Sequence, residues 1–231
     1  MKKSLLQAVL EARTERRRLV LVTELDTGHQ WAEFDGEPAF GLDAEVSEAA
    51  RRALRRDRSA VVEVAGAGYF LHVMSPSLRL FVVGAVHIAQ TLVPMASLLG
   101  YAVTVIDPRR AFVTTERFPG VTVVTDWPDE ALTAAELDAR SAVVTLTHDP
   151  KLDDPALRVA LASPAFYIGS LGSRRTHARR IERLSGAGLT VEALGRIHAP
   201  IGLDIRAVTA AEIAASIAAE LTSILRARTD A

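Results

Sequence analysis

The sequence predicts a two-part α/β protein, a small α+β domain followed by a doubly wound parallel sheet, and three observations carry that expectation. From Leu78 onward, strand-like runs at 78–83, 102–106, 121–124, 142–146 and 165–168 alternate with helix-like segments such as 88–99, 129–138 and 154–162. Several of these runs are apolar without alternation, as strands are when helices cover both faces of a sheet. Ser75-Pro76-Ser77 then separates this regular stretch from a different N-terminal pattern, which sets the domains at 1–76 and 77–231. Repeated β-α alternation implies right-handed crossovers and a Rossmann-like C-terminal domain.

In chain order, residues 4–17 read as a short helix with Leu5, Leu6, Val9 and Leu10 on one face. Two strands follow at 19–25 and 29–34, separated by Asp26-Thr27-Gly28 and ended by Asp35-Gly36. Residues 43–57 carry Val46, Ala49, Ala50, Ala53 and Leu54 at helical spacing, and 60–64 with 69–74 form a hairpin around Gly66-Ala67-Gly68. At the far end, 209–228 is an alanine-rich helix opened by a Thr209/Glu212 capping box.

Composition narrows the function classes. At 231 residues, 49% hydrophobic and 24% charged, the chain belongs with soluble globular proteins rather than disordered ones. A net charge of −1 gives no global pull toward nucleic acid or anionic membrane. The arginines at 16–18 and 51–58 are not interleaved with aromatics, so nucleic-acid binding is not expected. The N-terminus lacks the pattern of a signal peptide, and no apolar run is long enough to span a bilayer. The absence of cysteine excludes disulfides and thiolate chemistry and fits a cytoplasmic protein.

In such a sheet the ligand sits outside the carboxyl ends of the strands. Gly84-Ala85-Val86-His87-Ile88-Ala89 follows the first strand of the larger domain as a Rossmann-type turn with valine at the middle glycine position. It serves either as a phosphate turn, with His87 as donor, or as an ordinary βα turn. Asp107-Pro108-Arg109-Arg110 ends the second strand about twenty residues on, where an acid usually holds ribose hydroxyls, while Arg109 and Arg110 accept a 2′-phosphate or stand in solvent. Thr147-His148-Asp149-Pro150-Lys151 ends the fourth; His148 and Lys151 face a ligand, or Asp149 caps a turn while His148 packs. After the fifth, Gly172 and Ser173 lead into a basic helix with Arg174, Arg175, Arg179 and Arg180, an anion site by free N–H groups and guanidinium forks, or an exposed basic face. Residues 197–204 form a loop between helices that places His198 and Asp204 close together as a functional loop, or in which Pro200 and Gly202 make a turn and Asp204 caps the last helix.

These loops, in this order, resemble the XdhC/CoxI family, accessory proteins of molybdenum hydroxylases such as xanthine dehydrogenase and carbon monoxide dehydrogenase. The resemblance rests on LRLFVVGAVHIAQ, VTVIDPRRAFVTTERFP, VVTLTHDPKLDDPAL, AFYIGSLGSRRTHARRIERL and RIHAPIGLDIRAVTAAEIAASIAAEL, which together span nearly all of 78–225. It implies a non-catalytic chaperone that binds the molybdenum cofactor (molybdopterin), has it sulfurated by a cysteine desulfurase, and delivers it to the apo-hydroxylase. The implied cofactor-binding set is Gly84, Ala85, His87, Asp107, Arg109, His148, Lys151, Gly172, Ser173, Arg174, Arg175, His198 and Asp204, with the phosphate at Gly172–Arg175. NAD(P) is the alternative ligand, as in an NAD(P)-dependent oxidoreductase. A third reading is an inactive, non-binding partner subunit that shapes the hydroxylase or an XdhC-like paralogue, with a homodimer as the other assembly. Two departures accompany the resemblance. The family's G-A-G-H-V-G turn reads GAVHIA here, which weighs against a dinucleotide, and the cysteine usual in its N-terminal domain is missing from Phe40-Gly41-Leu42-Asp43-Ala44-Glu45.

Overall fold

The structure is a computed structural model and describes residues 2–37, 39 and 41–227; Phe40 and Arg228, included in the segments above, lie outside the described residues. The chain divides into two compact units, one up to Pro76 and one from Ser77 to Leu225.

In the smaller unit, α1 (Lys3–Thr14) precedes an antiparallel sheet of order β2-β1-β4-β3. Its strands are β1 (Leu19–Glu24), β2 (Gln30–Phe34), β3 (Ala60–Val64) and β4 (Ala67–Met74). Ala65 (φ 50°) and Gly66 (φ 81°) turn the β3–β4 hairpin, so β4 starts at Ala67, earlier than the sequence suggests. Between β2 and β3, α2 (Ala44–Arg55) buries Val46, Ala49, Ala50, Ala53 and Leu54 against Val20, Val22 and Leu71. Asp43 caps it, accepting from the Glu45 N–H at 2.8 Å.

The larger unit contains β5 (Leu78–Val83), α3 (His87–Leu98), β6 (Tyr101–Ile106), β7 (Thr122–Val124), α4 (Pro128–Ala134), β8 (Ser141–Thr145) and α5 (Pro150–Leu161). It continues through β9 (Tyr167–Ser170), α6 (Arg174–Gly186), α7 (Val191–Leu194), β10 (Ile197–His198) and α8 (Ala210–Ala227). The six strands are all parallel, in the order β10-β9-β8-β5-β6-β7. Numbered from β5, that is the 3-2-1-4-5-6 order of the Rossmann fold, with the reversal between β5 and β8. Central β8 is buried at every position. One face of the sheet packs on Ala89, Leu92 and Ala96 of α3 and Ala214, Ile217 and Leu221 of α8. The other packs on Leu132 of α4, Ala156, Leu157 and Ala160 of α5, and Leu184 of α6. Two covered faces explain why these strands read as unbroken apolar runs.

Among the boundaries of the larger unit that differ from expectation, two have a clear physical cause. The α5 helix begins at Pro150, because proline at the first helical position has no N–H to lose and Asp149 caps the turn. The β9 strand runs to Ser170, since its backbone pairs with β8 as far as Thr145↔Ser170.

Candidate functional site

Gly84 leaves β5 with φ 106°, a conformation that favours glycine. A Cβ built there would lie 2.6 Å from Thr147 Cγ2 and 3.3 Å from the Thr147 backbone nitrogen. The turn therefore lies directly against the chain leaving β8. The next residue, Ala85, is buried and donates its N–H to Asp107 Oδ2 at 2.9 Å.

Asp107 stands where expected, at the end of β6, and is fully buried. Its Oδ1 accepts from the Arg109 backbone N–H (3.0 Å) and from Nε (2.8 Å), while Oδ2 also accepts from Nη2 (2.7 Å). Burial alone would raise its pKa, but the Arg109 guanidinium and the two backbone amides outweigh that and hold it below the usual carboxylate range. Bonding to Asp107 raises the pKa of Arg109, and the nearby charge of Asp149 adds to this. Both Asp107 oxygens are thus engaged by donors of this chain, in the place where a ribose diol would be held. Its task here is to tie the glycine turn to the β6 loop. A cleft of about 470 Å³ adjoins the turn, lined by Ala85, Val86, His87, Gln90, Arg109, Phe112 and Arg117. Arg109 lies over the Phe112 ring at 4.7 Å, and exposed His87 opens α3 with Nδ1 3.3 Å from Gln90 Oε1.

Across the reversal point, the β8 loop is organised from within. Asp149 Oδ1 accepts from the Lys151 N–H at 2.9 Å, and its own N–H donates to Thr147 Oγ1 at 3.1 Å. His148 and Lys151 are exposed at the rim, so His148 does not pack. Thr147 Oγ1 donates to Asp153 Oδ1 at 2.6 Å, and Asp153 Oδ2 lies 3.8 Å from Arg180 Nη2. Arg180 in turn donates from Nη2 to the Leu171 carbonyl at 2.8 Å. Asp153 and Arg180 are each 2% exposed, an ion pair held inside the fold.

The β9 loop leads into α6. Gly172 has φ 136°, and a Cβ there would sit 2.9 Å from Thr176 Cγ2 and 3.7 Å from Arg180 Nη2. Ser173 caps the helix, its Oγ accepting from the Thr176 N–H at 3.2 Å. That leaves the Arg174 and Arg175 N–H groups without an intrahelical partner, with both side chains exposed. Beneath this turn, Nε and Nη1 of Arg180 are buried and have no hydrogen-bond partner among the described residues.

His198 needs a correction. It does not lie in a loop but in β10, a sixth strand pairing with β9 at His198↔Gly169. Its ring stacks on Tyr167 at 4.7 Å, and Nδ1 lies 3.5 Å from Glu220 Oε1 on α8. Glu220 Oε2 accepts from the Tyr167 hydroxyl and from the Gly202 N–H (2.8 Å). Burial would raise the Glu220 pKa, but His198, Tyr167 and Gly202 together draw it below its ordinary value. Asp204 is exposed on the loop before α8 and does not cap that helix; Thr209 and Glu212 do, with reciprocal bonds of 3.2 and 2.9 Å.

The structure thus links Arg109, Asp107, Ala85, Gly84, Thr147, Asp153, Arg180 and Leu171 along one rim. His87 and Arg109 border the cleft on the β5–β6 side; Gly172 to Arg175 stand on the β8–β9 side, while His198 is turned toward α8. Sequence reasoning missed Thr147, Asp153 and Glu220, and took Arg180 for one arginine among several. A signal existed for Arg180: it falls one helical turn before Leu184 and three residues after His177, on the buried side of α6.

Residues 80–221 match the family model described as the XdhC Rossmann domain. Among curated proteins, the chain is 32% identical over 149 residues to the molybdenum cofactor insertion chaperone PaoD of Escherichia coli K12, covering 64% of this chain and 41% of that one. It is 30% identical over 153 residues to a probable xanthine dehydrogenase subunit from Bacillus subtilis 168, covering 66% and 44%. The E. coli K12 protein YqeB, which is uncharacterized, matches at 32% over 154 residues, covering 67% and 28%. The chain therefore spans less than half the length of these relatives. A crystal structure titled as a xanthine dehydrogenase from Bacillus halodurans superposes with a TM-score of 0.70 at 25% identity, covering 96% of this chain and 64% of that one. With the family model matching most of the larger unit and the Rossmann strand order beneath it, this chain belongs to the XdhC family.

Proposed function

We propose that this protein is an accessory chaperone that holds the molybdenum cofactor and passes it to an apo-hydroxylase of the xanthine dehydrogenase or carbon monoxide dehydrogenase type. The observation that carries the reading is the turn at Gly172–Arg175. A helix N-terminus offers free N–H groups there, Arg174 and Arg175 flank it, and buried Arg180 adds positive charge from below. This donor set fits the terminal phosphate of a pterin cofactor. His148 and Lys151, exposed on the neighbouring loop, would contact the pterin side, with exposed Asp204 on the loop after β10; His198, turned toward α8, would support that loop and not touch the cofactor. Once bound, the cofactor supplies redox-active molybdenum to the enzyme that receives it. The chain's own work is to bind the phosphate, orient the ring system and shield it from water.

The occupied carboxylate of Asp107 favours this reading over NAD(P), because it leaves no free acceptor for a ribose diol. Named relatives include a cofactor insertion chaperone and a probable dehydrogenase subunit, which fits a partnership with a hydroxylase. A cysteine desulfurase and an XdhC-like paralogue or second copy complete the proposed partners, in the cytoplasm. No described helix is long and apolar enough to cross a membrane. The test is titration of the purified protein with molybdenum cofactor, alongside Arg174→Ala/Arg175→Ala. Micromolar binding that weakens at least about tenfold in the double variant supports the reading, and no binding by the unaltered protein overturns it.

A further inference from the structure

The buried pair beneath the Gly172 turn joins the β8 loop to the β9 loop through one hydrogen bond on each side. Asp153 and Arg180 are 2% exposed and only loosely joined, Nη2 standing 3.8 Å from Oδ2, while two nitrogens of the guanidinium are unpartnered among the described residues. Ion pairs inside proteins are usually retained only where further hydrogen bonds satisfy both members. Asp153 is satisfied on one side by Thr147; Arg180 has a single carbonyl, that of Leu171. The guanidinium lies immediately under the turn whose free N–H groups would receive an anion.

We infer that Arg180 is the specificity-determining charge of this anion site and Asp153 its exchangeable counter-charge, so that an anion settling at Gly172–Arg175 takes over Arg180 and Asp153 accepts a proton from solvent. On release the proton returns to water and the pair re-forms. This rests on the reading of the Gly172–Arg175 turn given above and adds its regulation. Loading would be favoured at lower pH, and unloading as pH rises.

The electrostatic setting agrees. Burial raises the Asp153 pKa to about 6, against the opposing pull of the Thr147 hydrogen bond and the Arg180 charge; Asp154 adds to the rise and His148 subtracts from it. A second negative charge nearby raises it further, and linkage then requires proton uptake on binding. The charged and titratable groups around the pair are Asp154 on α5, His148 on the β8 loop, and His177 and Arg183 on α6. His177 is held below its ordinary pKa first by burial and then by Arg180, which disfavours it as the proton acceptor.

The test uses sulfate, whose charge does not change across the range, bound to the full chain and followed by calorimetry in two buffers of different ionisation enthalpy. Affinity is expected to rise by up to about tenfold between about pH 8 and about pH 5, the equivalent of one unit of pKa. The heat should differ between the buffers, reporting uptake of a proton. Asp153→Asn, which keeps the Thr147 bond, should bind at every pH as tightly as the unaltered protein does at low pH, with no difference between buffers. Arg180→Lys, folding being checked by circular dichroism, should weaken binding at all pH values. If sulfate binds the unaltered protein but the pH dependence survives in Asp153→Asn, the exchange is wrong and the anion site stands. If sulfate does not bind the unaltered protein at any pH, both fall.

Discussion

Gly84 and Thr147 meet across the point where the strand order reverses, so closely that a single methyl on the glycine would fall 2.6 Å from Thr147 Cγ2. The contact sets how near β5 and β8 bring their carboxyl ends, and hence the spacing between the two sides of the candidate site. Gly84→Ala is expected to destabilise the protein by about 2 kcal/mol or more, from the positive φ and the clash together. Adding Thr147→Ser removes the offending methyl but leaves the strain and the 3.3 Å approach to the backbone nitrogen. The double variant should therefore recover part of the loss and not all of it. Urea unfolding of the two variants measures this; full recovery would mean that the backbone conformation tolerates a side chain there.

Asp107 is the joint between the glycine turn and the β6 loop. Asp107→Ala strands the buried Ala85 N–H and frees the Arg109 fork, at an expected loss of about 2–4 kcal/mol. Its pKa in the folded state lies below the ordinary value, so its contribution is present above the unfolded carboxylate pKa and lost as pH falls through the folded one. Unfolding titrations below about pH 4 should accordingly separate the variant from the unaltered protein less than titrations at neutral pH do. An equal difference at both would show that Asp107 acts by packing and not by charge.

Much of the fold was legible because it is written locally. Phe81 to Val83 and Ala142 to Val144 announce buried strands by themselves, and Thr209 with Glu212 marks the start of α8 by chemistry confined to one turn. The β10 strand was hidden because two residues, Ile197 and His198, cannot display a period; only pairing with Ile168 and Gly169 makes them a strand. The start of α5 was obscured by His148-Asp149-Pro150-Lys151, whose polar look reads equally as a loop or as a capped helix entry. At the site, Gly84, Asp107 and Gly172 could be named from position after a strand. Asp153 could not, since what distinguishes it from Asp154, which is itself paired with Arg183 of α6, is its burial, and Arg180 stands apart from Arg179 only by lying on the buried side of α6.

Glu220 fastens the opposite edge of the sheet. It ties Tyr167, His198 and the Gly202 N–H to α8, and so anchors the loop that carries Asp204. Glu220→Gln should cost about 1–3 kcal/mol and raise amide exchange at Gly202 and Leu203 well above that in the rest of the unit. Unchanged exchange there would show the loop to be held by Ile201 packing and the Leu203 N–H bond to the Ser216 carbonyl (3.2 Å) without help from Glu220.

Asp153 also couples stability to pH, independent of any ligand. Its carboxyl has a folded pKa of about 6, raised mainly by burial, against an unfolded value near the ordinary aspartate range. Between the two values the folded protein binds the proton that the unfolded chain has released, so stability falls as pH rises from about 4 to about 6 and is flat above. The two-unit difference corresponds to a loss on the order of 3 kcal/mol. Asp107 and Glu220 carry lowered pKa values and titrate with the opposite sign at lower pH, so the Asp153 signal is isolated by difference. In Asp153→Asn the decline should disappear while the Thr147 hydrogen bond persists. Urea midpoints for both proteins at about pH 4.5 and about pH 7 decide the matter: parallel behaviour would mean that Arg180 keeps Asp153 ionised throughout, and the buried pair would then be a fixed strut.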